Sequence, residues 1–276
     1  MKQPRQSPQI ALSTRAGLTG SFPLWTEIAN LTRVAGLDLD LSSRPRRFLL
    51  HAAPWPEALR HPAVRAIWLR ASQLLSDGYA AETCIDAVSN PASGEKTIVV
   101  QQDAILGNGA PESVIKAVAR WRNAYPESVA PRVALALAPT DRSGGREHLQ
   151  RLQLIRYLAA EWDLDLALDL LGRIDETWEA EAAVVKIAPR LRVLRIPYPI
   201  VSPVDTTRNR MAKRVLTAAI DSGYDGIISI APPLKPWNMS RHVVLDTSTE
   251  AVMALRRQIR TRGSVTLEPP WRESMF

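Results

Sequence analysis

The sequence has few of the residues that most often bind metals or form disulfides. It contains a single cysteine, Cys84, so an internal disulfide and a cysteine-based zinc site are both excluded. Its four histidines, His51, His61, His148 and His242, are scattered without the spacing of metal ligands. These shortages count against metal chemistry from the outset.

Long apolar segments are also missing. No run of apolar residues approaches the roughly 18 that a membrane-spanning helix needs. The chain opens on the polar stretch MKQPR, which lacks the apolar centre of a signal peptide. We therefore expect a cytoplasmic protein that makes no membrane contact and has no transmembrane helix.

The charge is strongly positive. Lysine and arginine total 35 against 28 acidic residues, which gives a formal net charge of +7, and the sequence pI is about 9.9. Such a balance favours an anionic partner, although it says nothing about the fold. The basic residues are mostly arginine, and no block of five or more like charges occurs. This even spread argues against a nucleic-acid-binding tail.

The chain is long and apolar enough for one substantial domain. Of its 276 residues, 46% are hydrophobic, which rules out disorder as the main state. This length is close to that of a single α/β barrel. We predict one domain over 1–276, with a short disordered start at about 1–8 and a tail at about 264–276.

Eight short apolar runs alternate with stretches of helical periodicity along the whole chain. The predicted strands are 10–15, 37–42, 64–70, 97–102, 132–138, 164–170, 193–197 and 226–231. The predicted helices are 23–35, 78–88, 111–124, 146–162, 177–187, 207–222 and 249–261, with at most a short helix at 56–60 in the proline-containing second crossover. Gly36 and Gly223 stand where two of the predicted helices should end, each shortly before a strand.

This alternation predicts either a closed (β/α)8 barrel or a doubly wound open sheet. An open sheet more often carries a glycine-rich fingerprint after its first strand, and STRAG at 13–17 is not one. We therefore predict a single (β/α)8 TIM barrel. In such a barrel the chemistry lies at the carboxyl ends of the strands and in the loops that follow them.

Several segments resemble the xylose-isomerase-like barrel superfamily, which contains sugar and sugar-phosphate isomerases, epimerases and the endonuclease IV type of DNA-repair enzyme. VAGLDLDL at 34–41 is similar to its helix-to-strand-two junction, and LALD at 166–169 is similar to its strand six. SGYDGIISI at 222–230 is similar to the segment that enters its last strand. The resemblance covers the whole chain in order, and it implies the fold of that superfamily.

The resemblance also implies a set of metal ligands that this chain mostly lacks. Family members generally bind divalent cations through glutamates that end strands five and eight, an aspartate and a histidine at strand six and its loop, and a histidine at strand four or seven. Ala138 and Ala231 stand at the two glutamate positions, Gln101 stands at strand four and Arg195 at strand seven. Only Asp169 remains, so we predict no metal and no cofactor at the barrel mouth.

Asp169 and Arg195 are predicted to end neighbouring strands, close enough for their side chains to pair. Two interpretations stay open: Arg195 clamps an anionic group of a ligand while Asp169 orients it, or the two form a buried ion pair that fills the old metal site. The full set of predicted ligand-binding residues is Asp169, Arg195, Gln101, Arg15, Tyr198, Lys235 and Trp237. Trp68, by contrast, is predicted to pack between the helices and the barrel.

Three functional hypotheses follow. The first is a metal-independent barrel that binds a small anionic or polyol ligand, either without catalysis or with altered chemistry. The second is an active isomerase or epimerase whose ligands have moved, for example to Asp103, Asp169, Asp205 and His242. The third is a nucleic-acid protein of the endonuclease IV type, which the charge favours and the lack of a metal cluster opposes. The resemblance also suggests a homodimer.

Overall fold

The eight strands of this protein close into a barrel. The computed structural model describes residues 8–14, 22–42, 55–76, 82, 86, 88, 95–101, 111–126, 131–137, 153, 156–171, 180–197, 207–231 and 241–260. Each strand pairs in parallel with the next, and β8 pairs with β1. The strands are β1 (Gln9–Ser13), β2 (Gly36–Asp40), β3 (Val64–Arg70), β4 (Thr97–Gln101), β5 (Arg132–Leu137), β6 (Asp165–Asp169), β7 (Leu191–Pro197) and β8 (Ile227–Ala231).

This topology confirms the predicted (β/α)8 barrel. Every predicted strand overlaps an observed one, and β3 has the predicted bounds. The described helices are α1 (Phe22–Thr32), α2 (Trp55–Arg60), α3 (Ala71–Ser76), α4 (Pro111–Asn123), α5 (Ala180–Ile187), α6 (Thr207–Asp221) and α7 (Arg241–Arg260). A further helical stretch covers 156–161, and Ala188–Arg190 form a 3₁₀ turn.

The helices differ from the prediction at two places. The helix α3 follows β3 without an intervening loop, whereas the sequence predicted helix only from 78 onward; positions 82, 86 and 88 are helical as well. The last helix begins at Arg241 rather than at 249. The Thr-Ser-Thr run at 247–249 is typical of a helix start, but here it lies inside the helix, with Ser248 buried.

Three helices end in the same way just before a strand. Arg33, Asp163 and Gly223 adopt positive φ angles of 51°, 51° and 81°. In each case that residue and the next donate backbone hydrogen bonds to carbonyls three and five residues earlier, the pattern of a Schellman motif. Gly223 therefore acts as predicted. The prediction for Gly36 was wrong, because Arg33 ends the helix and Gly36 begins β2.

The strands are buried on both faces. Their outward side chains pack against the helices in one large apolar cluster. A second, smaller cluster is formed by Ala66, Trp68, Val99, Ala134, Ala167 and Val193, which alternate along their strands with members of the first. By this alternation the smaller cluster fills the barrel interior, as inward side chains do in this fold. None of the helices in the described ranges has the length and apolar character needed to span a bilayer.

Candidate functional site

The side chain of Arg195 lies inside the barrel and is fully buried. Its Nε and Nη2 donate to the two carboxylate oxygens of Asp38 at 3.1 and 2.9 Å, and its Nη1 donates to Asp40 Oδ2 at 2.8 Å. The paired contact to Asp38 is the two-pronged geometry in which guanidinium and carboxylate bind most strongly. All three nitrogens of Arg195 are thus engaged by the protein itself.

The guanidinium also stacks on Trp68. Its central carbon lies 3.5 Å from the centroid of the indole ring, which is a cation–π contact. Arg195 is on β7 and Trp68 on β3, strands that stand opposite each other in the closed order, so the contact spans the interior. The predicted location of Trp68 between helices and barrel was wrong. Its indole N–H is buried and has no acceptor among the described residues.

Hydroxyl and backbone groups complete the surroundings of the two β2 aspartates. Ser229 Oγ, on β8, donates to Asp38 Oδ2. The Ser42 backbone N–H and hydroxyl both donate to Asp40 Oδ1, at 3.0 and 2.5 Å. These donors hold each carboxylate in one orientation, so that each keeps an oxygen directed to the guanidinium.

Asp169 approaches the same guanidinium from β6. Its Oδ2 lies 3.7 Å from Arg195 Nη1, and its Oδ1 accepts the backbone N–H of Leu171 at 2.9 Å. The register pairs Asp169 with Arg195, which confirms that these residues are neighbours on adjacent strands. The nearer partners of Arg195, however, are Asp38 and Asp40. We refer to Asp38, Asp40, Asp169 and Arg195 as the axial ion cluster.

The axial ion cluster sets three carboxylates against one guanidinium, and its members are almost completely buried. Burial raises the pKa of Asp38 above its ordinary value of 3.8, and the charge of Asp40 adds to this, while Arg195 and Ser229 oppose it. Burial alone would lower the pKa of Arg195, but Asp38, Asp40 and Asp169 outweigh it and raise that pKa. The guanidinium is therefore permanently charged.

The raised pKa of Asp38 predicts a pH dependence of stability. The folded protein holds the Asp38 proton more tightly than the unfolded chain does. This contribution to stability is complete below 3.8 and is lost as the pH rises through the folded-state pKa. We expect Asp38→Asn to flatten the fall in unfolding free energy from about pH 4 upward, measured by urea unfolding across a pH series. Asp246→Asn, which removes the same formal charge from an exposed position of α7, serves as control. Equal slopes for the wild type and Asp38→Asn would contradict the assignment.

The sequence did carry a signal for the two aspartates that the motif comparison missed. In GLDLD at 36–40, aspartate and leucine alternate, so both aspartates share one face of the strand. The leucines belong to the outer cluster, which leaves the aspartates to point inward. Charged residues at alternate positions of a strand buried on both faces indicate a partner inside the barrel, which here is Arg195.

The other predicted site residues are only partly placed. Gln101 ends β4 and is half-buried, and its side chain forms no hydrogen bond with another described residue. Arg15, Tyr198, Lys235 and Trp237 lie outside the described residues. Of the positions proposed for displaced ligands, Asp103 and Asp205 also lie outside them. His242 is exposed at the start of α7.

The described residues do not fit a divalent cation at the mouth. Ala231 ends β8 where the resemblance expects a glutamate, and Ala138 lies outside the described ranges. The nearest group of carboxylates is already bound to a guanidinium, which repels a second cation. Within the parts of the chain that the structure covers, no three His, Cys, Asp or Glu side chains are placed to hold a metal ion.

Comparison with known proteins gives matches by structure alone. No family model matches the sequence, and no curated protein matches it. The D-allulose 3-epimerase of Methylomonas sp., solved with D-allulose, has a TM-score of 0.59 at 13% identity over 94% of this chain and 98% of its own. The D-psicose 3-epimerase of Clostridium cellulolyticum H10, solved with D-tagatose, has a TM-score of 0.58 at 11% identity over 91% and 99%. A probable 3-DHS dehydratase of Bacillus anthracis has a TM-score of 0.55 at 13% identity over 90% and 98%.

At this level of identity the likeness establishes the fold. It extends over nearly the full length of both chains in each comparison. The strand-end motifs at 34–41, 166–169 and 222–230 imply the same architecture. The described strands form a closed (β/α)8 barrel, the fold that the chain shares with these sugar epimerases.

Proposed function

We propose that this protein is a sugar-epimerase-like barrel that binds a small polyol at its mouth without a divalent metal. The observation that carries the proposal is the occupation of Asp38 and Asp40 by the buried guanidinium of Arg195. A permanent charge on a protein side chain neutralises carboxylates that would otherwise favour a metal ion. The loss of the expected ligand positions, such as Ala231, points in the same direction.

A neutral polyol suits the described mouth residues better than an anion does. Asp40 and Asp169 end β2 and β6. Asp40 is fully buried and already bound by Ser42 and Arg195, so the carboxylate of Asp169 is the one proposed to accept hydrogen bonds from sugar hydroxyls. Gln101 adds an amide that both donates and accepts. An anion would face these carboxylates, while the positive charge of Arg195 is already used within the protein. The solved complexes of the fold neighbours with D-allulose and D-tagatose support a sugar-like ligand.

The proposed activity is ligand binding, with or without turnover. Any turnover on this scaffold would be an isomerisation or epimerisation, carried out by protein side chains alone. Arg195 acts as a positioning residue in this scheme, because it holds carboxylates and is not itself exposed to the mouth. A cytoplasmic location and a homodimer stay predictions.

The test combines metal analysis with sugar binding. Purified protein is analysed for bound metals first, then dialysed against a chelator, and titrated by calorimetry before and after dialysis with D-allulose, D-tagatose and a sugar phosphate. We expect no stoichiometric metal and binding of a neutral sugar that the chelator leaves unchanged. Stoichiometric zinc, manganese or magnesium, or binding that needs added metal, would support the alternative of an isomerase with displaced ligands.

A matched pair of variants tests the location. Asp169 ends β6 at the mouth, whereas Asp165 begins the same strand at the opposite end of the barrel. We expect Asp169→Asn to weaken sugar binding about tenfold, the effect of losing one hydrogen bond to a charged group. Asp165→Asn should leave the affinity unchanged. Equal effects of the two substitutions would contradict a site at the mouth.

A further inference from the structure

Most described arginines at the base of the barrel, where the strands begin, are paired with carboxylates. Arg132 Nε lies 2.8 Å and Arg192 Nε 3.2 Å from Asp165 Oδ2. Arg190 Nη1 lies 3.5 Å from Asp163 Oδ1. Around the starts of β5, β6 and β7, therefore, acidic side chains neutralise the basic ones directly.

Where α1 and α7 end, the described arginines are not paired with carboxylates in this way. Arg33, the left-handed residue that ends α1, is exposed, as is Arg260 at the end of α7. Arg256, one turn before Arg260, is half-buried and donates from Nη2 to the backbone carbonyl of Arg33. No acidic side chain pairs with any of the three among the described residues. We refer to Arg33, Arg256 and Arg260 as the basal arginine cluster.

The charges of Arg33 and Arg260 act on the half-buried guanidinium of Arg256. Burial lowers the pKa of Arg256, and the charges of Arg260 and Arg33 lower it further. Next to the cluster, Arg65 Nε donates to Ala35 O at 3.0 Å, in the same α1-to-β2 connection. The buried Lys96 feels Arg65 in turn, since burial and then Arg65 lower its pKa to about 8. The excess of positive charge therefore extends beyond the cluster.

The helix ends do not cancel this charge. The C-terminus of each of α1 and α7 carries about half a negative elementary charge, which favours a cation in the last turn. Two such ends offset about one of the three positive charges, and the effect fades within a turn. Neighbouring guanidinium groups without carboxylate partners are the usual protein partners of phosphate, because their planar N–H pairs match its oxygens.

We propose that the basal arginine cluster binds the phosphate group of a small molecule, at the end of the barrel opposite the mouth. A dianionic phosphate would neutralise most of the excess charge. It would also accept hydrogen bonds from N–H groups that the protein does not use among the described residues. This site is independent of the sugar site at the mouth.

The experiment uses inorganic phosphate as the probe. The full chain is titrated by calorimetry in a chloride buffer of constant ionic strength, so that general screening is the same throughout. We expect saturable binding of one phosphate, weakened about tenfold in Arg33→Gln and in Arg260→Gln. Both side chains are exposed, and the hydrogen bond from Arg256 uses the Arg33 backbone carbonyl, so these substitutions preserve the packing.

Arg257→Gln is the matched control. Arg257 is exposed, lies on the same helix, and donates from Nε to the Met253 carbonyl within its own helix. The proposal requires that this variant bind phosphate as the wild type does. An equal loss in Arg257→Gln, or no saturable binding in the wild type, would overturn it. Binding to phosphatidylglycerol vesicles without binding of inorganic phosphate would also overturn it, in favour of a membrane surface.

Discussion

Replacing Arg195 with alanine is expected to lower the free energy of unfolding by about 3–5 kcal/mol. The substitution leaves the carboxyl groups of Asp38 and Asp40 buried without their cation, and this penalty exceeds the worth of the ion pairs themselves. It also removes the group that stacks on Trp68. Urea unfolding followed by circular dichroism measures the change. A loss below about 1 kcal/mol would contradict the structural role of Arg195.

Two further variants separate charge compensation from general damage to β7. Arg192 is on the same strand, but its side chain is 33% exposed where it pairs with Asp165, so Arg192→Ala should cost no more than about 1 kcal/mol. Combining Arg195→Met with Asp38→Asn and Asp40→Asn should recover part of the stability, because no uncompensated buried charge at β2 remains. Without such recovery, packing rather than charge would account for the loss.

The substitution Gly36→Ala is expected to destabilise the barrel by about 3 kcal/mol or more, the upper range for overpacking. An added Cβ would lie 2.1 Å from the carbonyl oxygen of Ala63 and 2.7 Å from Cγ of Arg65. The same carbonyl accepts the backbone hydrogen bond of Leu37, so it cannot move away without breaking the pairing of β2 with β3. Thermal and urea unfolding both report this change.

Gly223→Ala provides the comparison for Gly36→Ala. Gly223 has a φ of 81°, which a residue with a side chain adopts at a cost of about 1–2 kcal/mol. Because this cost arises from backbone conformation alone, it should be smaller than that of the steric clash at Gly36. A Gly36→Ala variant as stable as Gly223→Ala would show that β2 and the segment before β3 can separate.

The barrel could be predicted from the sequence because each of its strands is a short apolar run bounded by helical periodicity. The strand Val64–Arg70 illustrates this, since its predicted and observed bounds agree. The boundaries of a helix were harder to predict where no turn residue separates it from the preceding strand. The helix α3 begins immediately after Arg70, so periodicity changes there without any break in the chain.

The candidate site was less accessible to sequence analysis. Asp169 and Arg195 were recognised because the family-like pattern predicts both near the ends of neighbouring strands, and their adjacency is confirmed, although β7 continues past Arg195 to Pro197. The contacts of Arg195 with Asp38 and Trp68, however, join residues that are far apart in the chain and on strands that are not neighbours in the barrel. Such contacts depend on barrel closure and strand register, which one sequence does not specify. The alternation of leucine and aspartate in β2 indicates that the Asp38 side chain points into the barrel, but it does not identify Arg195 as the partner.

The axial ion cluster also limits how this sequence can change over time. Removing Arg195 alone leaves buried carboxyl groups without a cation. Removing Asp38 and Asp40 alone takes from the buried guanidinium its hydrogen-bonded counter-charges and leaves only the more distant Asp169. Either substitution made alone destabilises the protein, so Arg195, Asp38 and Asp40 are expected to change together or not at all. A substitution that opens the barrel interior to another cation would thus have to replace Arg195 and supply a new counter-charge for Asp38 and Asp40 at the same time.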